Sequence, residues 1–144
     1  MADESGGHAV VASLDQLIRM LRRVMPPDDL SLTAASTLRR LEDGGAQRLT
    51  ELACLEGITQ PAMTQLVSRL EKDSLAERVK DASDGRVVLI RITPTGREAL
   101  RVRRAARARA LDELLRALPP ADRDAIMAAL PALDRLSKIG TPAS

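Results

Sequence analysis

The sequence predicts a mainly α fold with a small two- to three-stranded β element, and three observations carry that prediction. Apolar residues recur at helical spacing through most of the 144 residues, and between residues 75 and 92 that spacing gives way to alternation. Of the 64 apolar residues, 44 are Leu or Ala, and Phe, Tyr and Trp are absent. An aliphatic, Leu- and Ala-rich core is one that helices fill, whereas a period of two marks strands. The length is that of one domain with room for dimerising additions.

The elements follow in order. Val10 to Met25 repeats apolar residues at helical spacing and stops at Pro26-Pro27, where two missing N–H groups end a helix. Leu32 to Asp43 is a second helix, with Ser31 or Thr33 as its cap and Gly44-Gly45 closing it. Thr50 is the expected cap of a short third helix, which Gly57 ends with a sharp turn. Thr59 caps a fourth, with Pro61 harmless in its first turn. Its inward stripe is Met63, Leu66, Val67 and Leu70, and its opposite face carries Gln60, Thr64, Gln65, Ser68, Arg69 and Lys72. Leu75 to Val79 and Val87 to Ile92 read as two strands around a polar loop. Thr93-Pro94 opens a long helix to about Leu118, and Ala121 to about Ser137 is a last helix with a kink expected at Pro131.

Composition excludes several functions. Without aromatic rings there is no platform for stacking single-stranded bases and no aromatic cage. One His (His8) and one Cys (Cys54) cannot make a four-ligand zinc site or an intrachain disulfide, so no metal or cofactor is expected. The same scarcity leaves no nucleophile, base and orienting group for an enzyme. The acidic, polar start MADESGG is unlike a secretory leader, and the longest nearly apolar stretch, Ala125 to Leu133, is far short of the roughly 20 residues a membrane crossing needs. A cytoplasmic protein with no membrane partner is the expectation. The bases are 19 Arg and 3 Lys, for a formal charge of +2. That bias fits phosphate recognition, and equally a GC-rich genome, so position along the chain has to decide.

Helix, Gly turn, helix with an exposed polar N-terminal face, then a hairpin with a basic loop is the order of a winged helix-turn-helix. Leu49 to Glu71 (LTELACLEGITQPAMTQLVSRLE) followed by Leu75 to Leu100 (LAERVKDASDGRVVLIRITPTGREAL) closely resembles the multiple-antibiotic-resistance regulator (MarR) family. Its pieces stand in order as ELA, a Gly-apolar-Thr turn, PAMT, LVSRLE, DGR and ITPTG. The resemblance implies a transcription regulator, a homodimer of winged helix domains joined by N- and C-terminal helices. It also implies a pseudo-palindromic double-stranded DNA operator, commonly released by a small-molecule effector or by oxidation. Asp84 and Arg86 match the family's Asp-x-Arg wing motif, in which the Arg reaches the minor groove and the Asp holds the wing.

Residue chemistry assigns the remaining contacts. Gln60, Pro61, Thr64 and Gln65, on the early exposed turns, suit base edges, since Gln pairs with adenine and Thr or Pro touches a thymine methyl. Thr50, Thr59, Ser68, Arg69, Lys72, Arg78 and Lys80 suit phosphates, with simple capping the alternative for Thr50 and Thr59. Arg97, Arg101 and Arg104 read as a solvated face of the long helix, Cys54 as a structural residue with redox sensing as the alternative, and Leu89 as an outward departure from the family's usual polar residue.

The winged domain satisfies itself with Leu38, Leu41, Leu52, Ile58, Met63, Leu66, Leu70, Val79, Ile90 and Ile92. Leu14, Leu17, Leu21, Leu111, Leu115, Leu118, Ile126, Leu130 and Leu133 are then surplus, which predicts dimerisation. The expected organisation is a flexible tail 1–8, an N-terminal dimerisation helix 9–30, the winged helix-turn-helix domain 31–93, C-terminal dimerisation helices 94–137 and a flexible tail 138–144. A pocket between dimerising helices and winged domain could take an effector whose identity the sequence does not name. Two further readings stay open, a low-specificity architectural DNA-binding protein and a winged helix used only to bind proteins.

Overall fold

The computed structural model describes residues 4–25, 27 and 30–139. Six helices and one hairpin follow in order: α1 (Glu4–Val24), α2 (Leu32–Gly44), α3 (Leu49–Glu56), α4 (Gln60–Lys72), β1 (Ala76–Lys80), β2 (Val88–Ile92), α5 (Pro94–Ala117) and α6 (Pro120–Ile139). The fold is thus mostly helical with a two-stranded antiparallel wing, as the spacing predicts. Two boundaries differ from expectation. The first helix starts at Glu4, so residues 4–8, expected in a tail, are helical and His8 lies on α1. The last helix runs through Pro131 to Ile139, while residues 140–144 of the expected C-terminal tail lie outside the described residues.

Capping chemistry places most helix ends. Ser31 Oγ accepts the Ala34 N–H at 3.1 Å, Thr59 Oγ1 that of Ala62 at 3.3 Å, and Thr93 Oγ1 that of Gly96 at 3.0 Å. Thr50 does not cap α3, because the helix starts two residues earlier than that cap would place it. Arg48 is its cap residue, and the Arg48 N–H donates to the Glu51 carboxylate at 3.2 Å. Two helices end in Schellman turns. At α3, Gly57 adopts φ 64° while its N–H reaches Cys54 O and the Ile58 N–H reaches Ala53 O, both at 3.1 Å. At α4 the left-handed position is Ser74, φ 60°, with Ser74 N–H to Glu71 O at 2.9 Å and Leu75 N–H to Leu70 O at 2.8 Å. Only at Ser74 does a non-glycine residue hold this conformation among the described residues.

The core is aliphatic and gathers α2, α3, α4, the sheet and the start of α5. Leu38, Leu41, Leu52, Met63, Val67 and Ile90 are essentially inaccessible. Strand register decides which sheet residues join them. Ala76 pairs with Ile92 and Arg78 with Ile90 on the core face; Glu77 pairs with Arg91 and Val79 with Leu89 on the other. Val79, expected in the core, is therefore half-buried against Leu89 on the outer face. Parity allows nothing else once Ile90 and Ile92 face inward. Gln47 adds a vestigial third strand, exchanging hydrogen bonds with Ile90 at 3.0 and 2.7 Å.

Thr93 straps the hairpin's end to the turn after α4. Its hydroxyl donates to Ser74 O at 2.6 Å and its N–H to Leu75 O at 3.1 Å. Gly96 then lies so close to that turn that a Cβ would meet Leu75 O at 2.1 Å. Two substitutions therefore act in opposite directions. Gly96→Ala collides with backbone and destabilises by about 1–3 kcal/mol. Ser74→Gly relieves the left-handed strain, less the entropy glycine adds to the unfolded chain, and stabilises by up to about 1 kcal/mol. Thermal melts followed by far-UV circular dichroism check both.

Candidate nucleic-acid interface

The surface of interest is built on α4. Its buried stripe, Met63, Leu66, Val67 and Leu70, seats the helix on the core and turns Gln60, Pro61, Thr64, Gln65, Ser68, Arg69 and Lys72 outward, every one of them exposed. The first two turns of this face carry amides and hydroxyls without charge, and the basic residues Arg69 and Lys72 fall in the last turn. Thr64 Oγ1 donates to Gln60 O at 2.9 Å, so its hydroxyl proton is committed to the helix and its methyl and lone pairs are what it offers outside. Thr59, by contrast, accepts in its cap and keeps its proton to donate outward. Thr50 is exposed in the first turn of α3.

The hairpin loop is folded by its own aspartates. Asp81 Oδ1 accepts from the Ser83 hydroxyl at 2.7 Å and the Ser83 N–H at 2.8 Å, while Asp84 Oδ1 accepts from the Arg86 N–H at 3.0 Å. A bond across the hairpin from Asp81 N–H to Val87 O and a turn bond from Val87 N–H to Asp84 O, each 2.9 Å, close the tip. Asp84 thus holds the backbone of Arg86 and leaves the guanidinium exposed. Lys80 is exposed beside it, but Arg78 is partly engaged, 3.5 Å from Glu71 of α4. On the outer face of the hairpin, Arg91 bonds Glu77 at 2.7 and 3.0 Å next to the Val79–Leu89 pair, which gives Leu89 its packing.

Several expected roles change in the fold. Cys54 is exposed on α3 and does not pack in the core. The long-helix arginines form an exposed face, as expected, and also pair there: Arg97 and Arg104 approach Glu42 of α2 at 4.0 and 3.7 Å, and Arg101 bonds Glu98 at 2.6 Å. Spacing also passes over two features. Arg48 stands exposed at the start of α3 within electrostatic reach of Asp81, and arginine there resembles no capping motif. Arg40 and Ser36 of α2 both meet Glu56 of α3, at 2.5 and 2.9 Å, across a sequence separation that local patterns do not span.

Behind this surface, a cavity of about 750 Å³ opens between the α1–α2 connection, the α4–β1 turn and α5. Pro27, Leu30, Leu75, Ala99 and Val102 make it largely apolar, with Arg103 among its polar residues. Beyond it, no described residue of α1 or α6 is fully buried. Leu14, Leu17, Ile126, Leu130 and Leu133 are exposed, and Leu21, Leu111, Leu115 and Leu118 are half-buried. No described helix is long and apolar enough to cross a membrane.

The sequence model of the MarR family matches residues 30–88, from just before α2 to the start of β2. An uncharacterised HTH-type transcriptional regulator of Mycobacterium bovis is 32% identical over 114 residues, 79% of this chain and 80% of the relative. The chain belongs to the MarR family. A crystal structure from Mycobacterium tuberculosis superposes with a TM-score of 0.81 at 22% identity, over 100% of this chain and 98% of that one. Another solved structure, Bordetella bronchiseptica BpsR, gives a TM-score of 0.62 at 24% identity over 89% and 91% of the two chains. DNA binding by BpsR is regulated by 6-hydroxynicotinic acid. This MarR-family chain is accordingly a winged helix-turn-helix transcriptional regulator, with α3, the Gly57 turn and α4 as its helix-turn-helix and β1–β2 as its wing.

Of the wing's internal bonds, the two from Ser83 titrate with Asp81. Hydrogen bonds from the Ser83 side chain and backbone hold its carboxyl below the usual carboxylate range. A depressed value means that what the two Ser83 bonds add to the loop's order is complete above the unfolded pKa and is lost as pH falls through the lower folded one. The Ser83 amide resonance should move with a midpoint below that of an ordinary Asp, and Asp81→Ala should lower the heteronuclear NOE from residue 82 to residue 86 at neutral pH.

Proposed function

We propose that the protein is a homodimeric, sequence-specific transcriptional repressor that acts in the cytoplasm on a pseudo-palindromic operator. The carrying observation is the composition of the exposed face of α4: uncharged hydrogen-bonding groups where the helix begins and basic groups where it ends. A helix entering the major groove by its N-terminus reads bases with the first and meets phosphates with the second. Gln60 and Gln65 offer bidentate amides to adenine, and Pro61 and the Thr64 methyl touch thymine methyls. Thr50, Thr59, Ser68, Arg69, Lys72, Arg78 and Lys80 bond or neutralise the backbone, Arg78 after leaving Glu71. Arg86, presented by Asp84, enters the minor groove, whose negative potential favours a guanidinium.

Two further parts of the reading rest on surfaces the chain leaves open. The exposed apolar stripes of α1 and α6, with half-buried Leu111 and Leu115 of α5 and Leu118 at its C-cap beside them, leave apolar surface for a second copy to cover, which supports a twofold dimer. Its recognition helices would then stand about 34–36 Å apart, one turn of DNA. The cavity beside α5 is of a size and polarity to take a small-molecule effector. The regulation described for BpsR supports the same reading.

Anisotropy titrations of labelled DNA test the assignment. The chain should bind the duplex upstream of its own gene as two subunits per site and survive physiological salt, while a scrambled duplex releases it. Arg86→Ala should weaken binding to both duplexes. Gln65→Ala should cost about 1–3 kcal/mol on the operator and little on scrambled DNA. Equal, salt-sensitive binding to both duplexes would instead mean a low-specificity architectural role.

A further inference from the structure

Glu56 occupies a place that disfavours it twice. It is the last residue of α3, where the helix dipole opposes a negative charge, and its side chain is only 8% exposed. It is held there from α2: Arg40 Nε donates to its carboxylate at 2.5 Å and Ser36 Oγ at 2.9 Å. Ser36 and Arg40 are four residues apart, hence on one face of α2. Arg40 Nη2 also donates to Leu55 O at 3.2 Å, satisfying a carbonyl in the last turn of α3 that the helix itself leaves open. At eight residues α3 is too short to be stable alone, so its direction is set by what grips it.

We propose that Ser36, Arg40 and Glu56 form a positioning unit for DNA reading. The unit touches no DNA. It clamps the end of α3 to α2 immediately before Gly57, and Gln60, the first base-reading candidate, follows Glu56 by four residues. A rigid turn transmits the clamp, because Gly57 and Ile58 close it with two hydrogen bonds to α3. Hydrogen bonds to base edges tolerate little displacement, whereas attraction to phosphates tolerates much. Loosening the clamp should therefore erode discrimination between sequences and spare general affinity. This inference rests on the base-reading role proposed for α4.

The test compares operator and scrambled duplexes across a salt series for Glu56→Gln and Ser36→Ala, each at a temperature where circular dichroism shows it folded. Glu56→Gln keeps the shape and removes the charge; Ser36→Ala removes a single donor. The expected result is a loss of about tenfold in the operator-to-scrambled affinity ratio for Glu56→Gln, the size of misreading one base pair. Ser36→Ala should lose less in the same direction, with scrambled-DNA affinity and salt slope unchanged in both. A wild-type ratio in the folded variants, or an equal fall on both duplexes, overturns the proposal. Should Glu56→Gln not fold, Ser36→Ala decides alone. A wild-type chain that does not discriminate defeats the base-reading role itself, and the positioning unit with it.

Discussion

What α4 shows to solvent is only as well placed as the aliphatic packing behind it. Met63, Val67 and Leu70 are buried in the same cluster as Leu38 and Leu41 of α2, and all of them are almost wholly excluded from water. With no aromatic ring to fill space, many small contacts share the burden, and each aliphatic side chain must interdigitate with its neighbours. That packing fixes the rotation of α4 about its axis, and through it the direction of Gln60, Thr64 and Gln65. The charge on the helix does not fix it.

Around this core, polar contacts appear where chain segments must meet at defined places. Thr93 ties β2 and α5 to the turn after α4, and Gly96 lets two backbones approach where a side chain would not fit. Gln47 stitches the start of the helix-turn-helix to Ile90 of the wing. Arg40 and Ser36 grip α3, and Glu42, one turn from Leu38 on the same helix, faces Arg97 and Arg104 of α5. α2 thereby contacts the helix-turn-helix on one side and, on another, the helix that borders the cavity.

The wing solves a different problem with short-range chemistry. A loop that extends from the body cannot rely on burial, so Asp81 and Asp84 fold it through bonds to residues two positions away. The Glu77–Arg91 pair and the Val79–Leu89 contact stiffen the outer face of its strands. The result is a basic side chain, Arg86, carried outward on a backbone with few remaining freedoms.

Local sequence alone determined what depends on neighbours a few residues apart. The inward stripe of α4, the caps Ser31, Thr59 and Thr93, the Gly57 turn, the hairpin and the polar face of α4 were all legible because helical and strand periods and cap chemistry act over three or four residues. The family motifs were legible for the same reason, since they lie within one contiguous stretch. Tertiary structure decided what spans longer separations. Val79 lost its place in the core to strand parity set by Ile90 and Ile92, and Thr50 lost its capping role because α3 began two residues early, with Arg48 at its cap. Glu56, an unremarkable acidic residue in the sequence, became a buried anchor because α2 brings Ser36 and Arg40 to it. Burial and cross-helix hydrogen bonds are properties of the packed chain, and no local pattern encodes which distant residue will supply the partner.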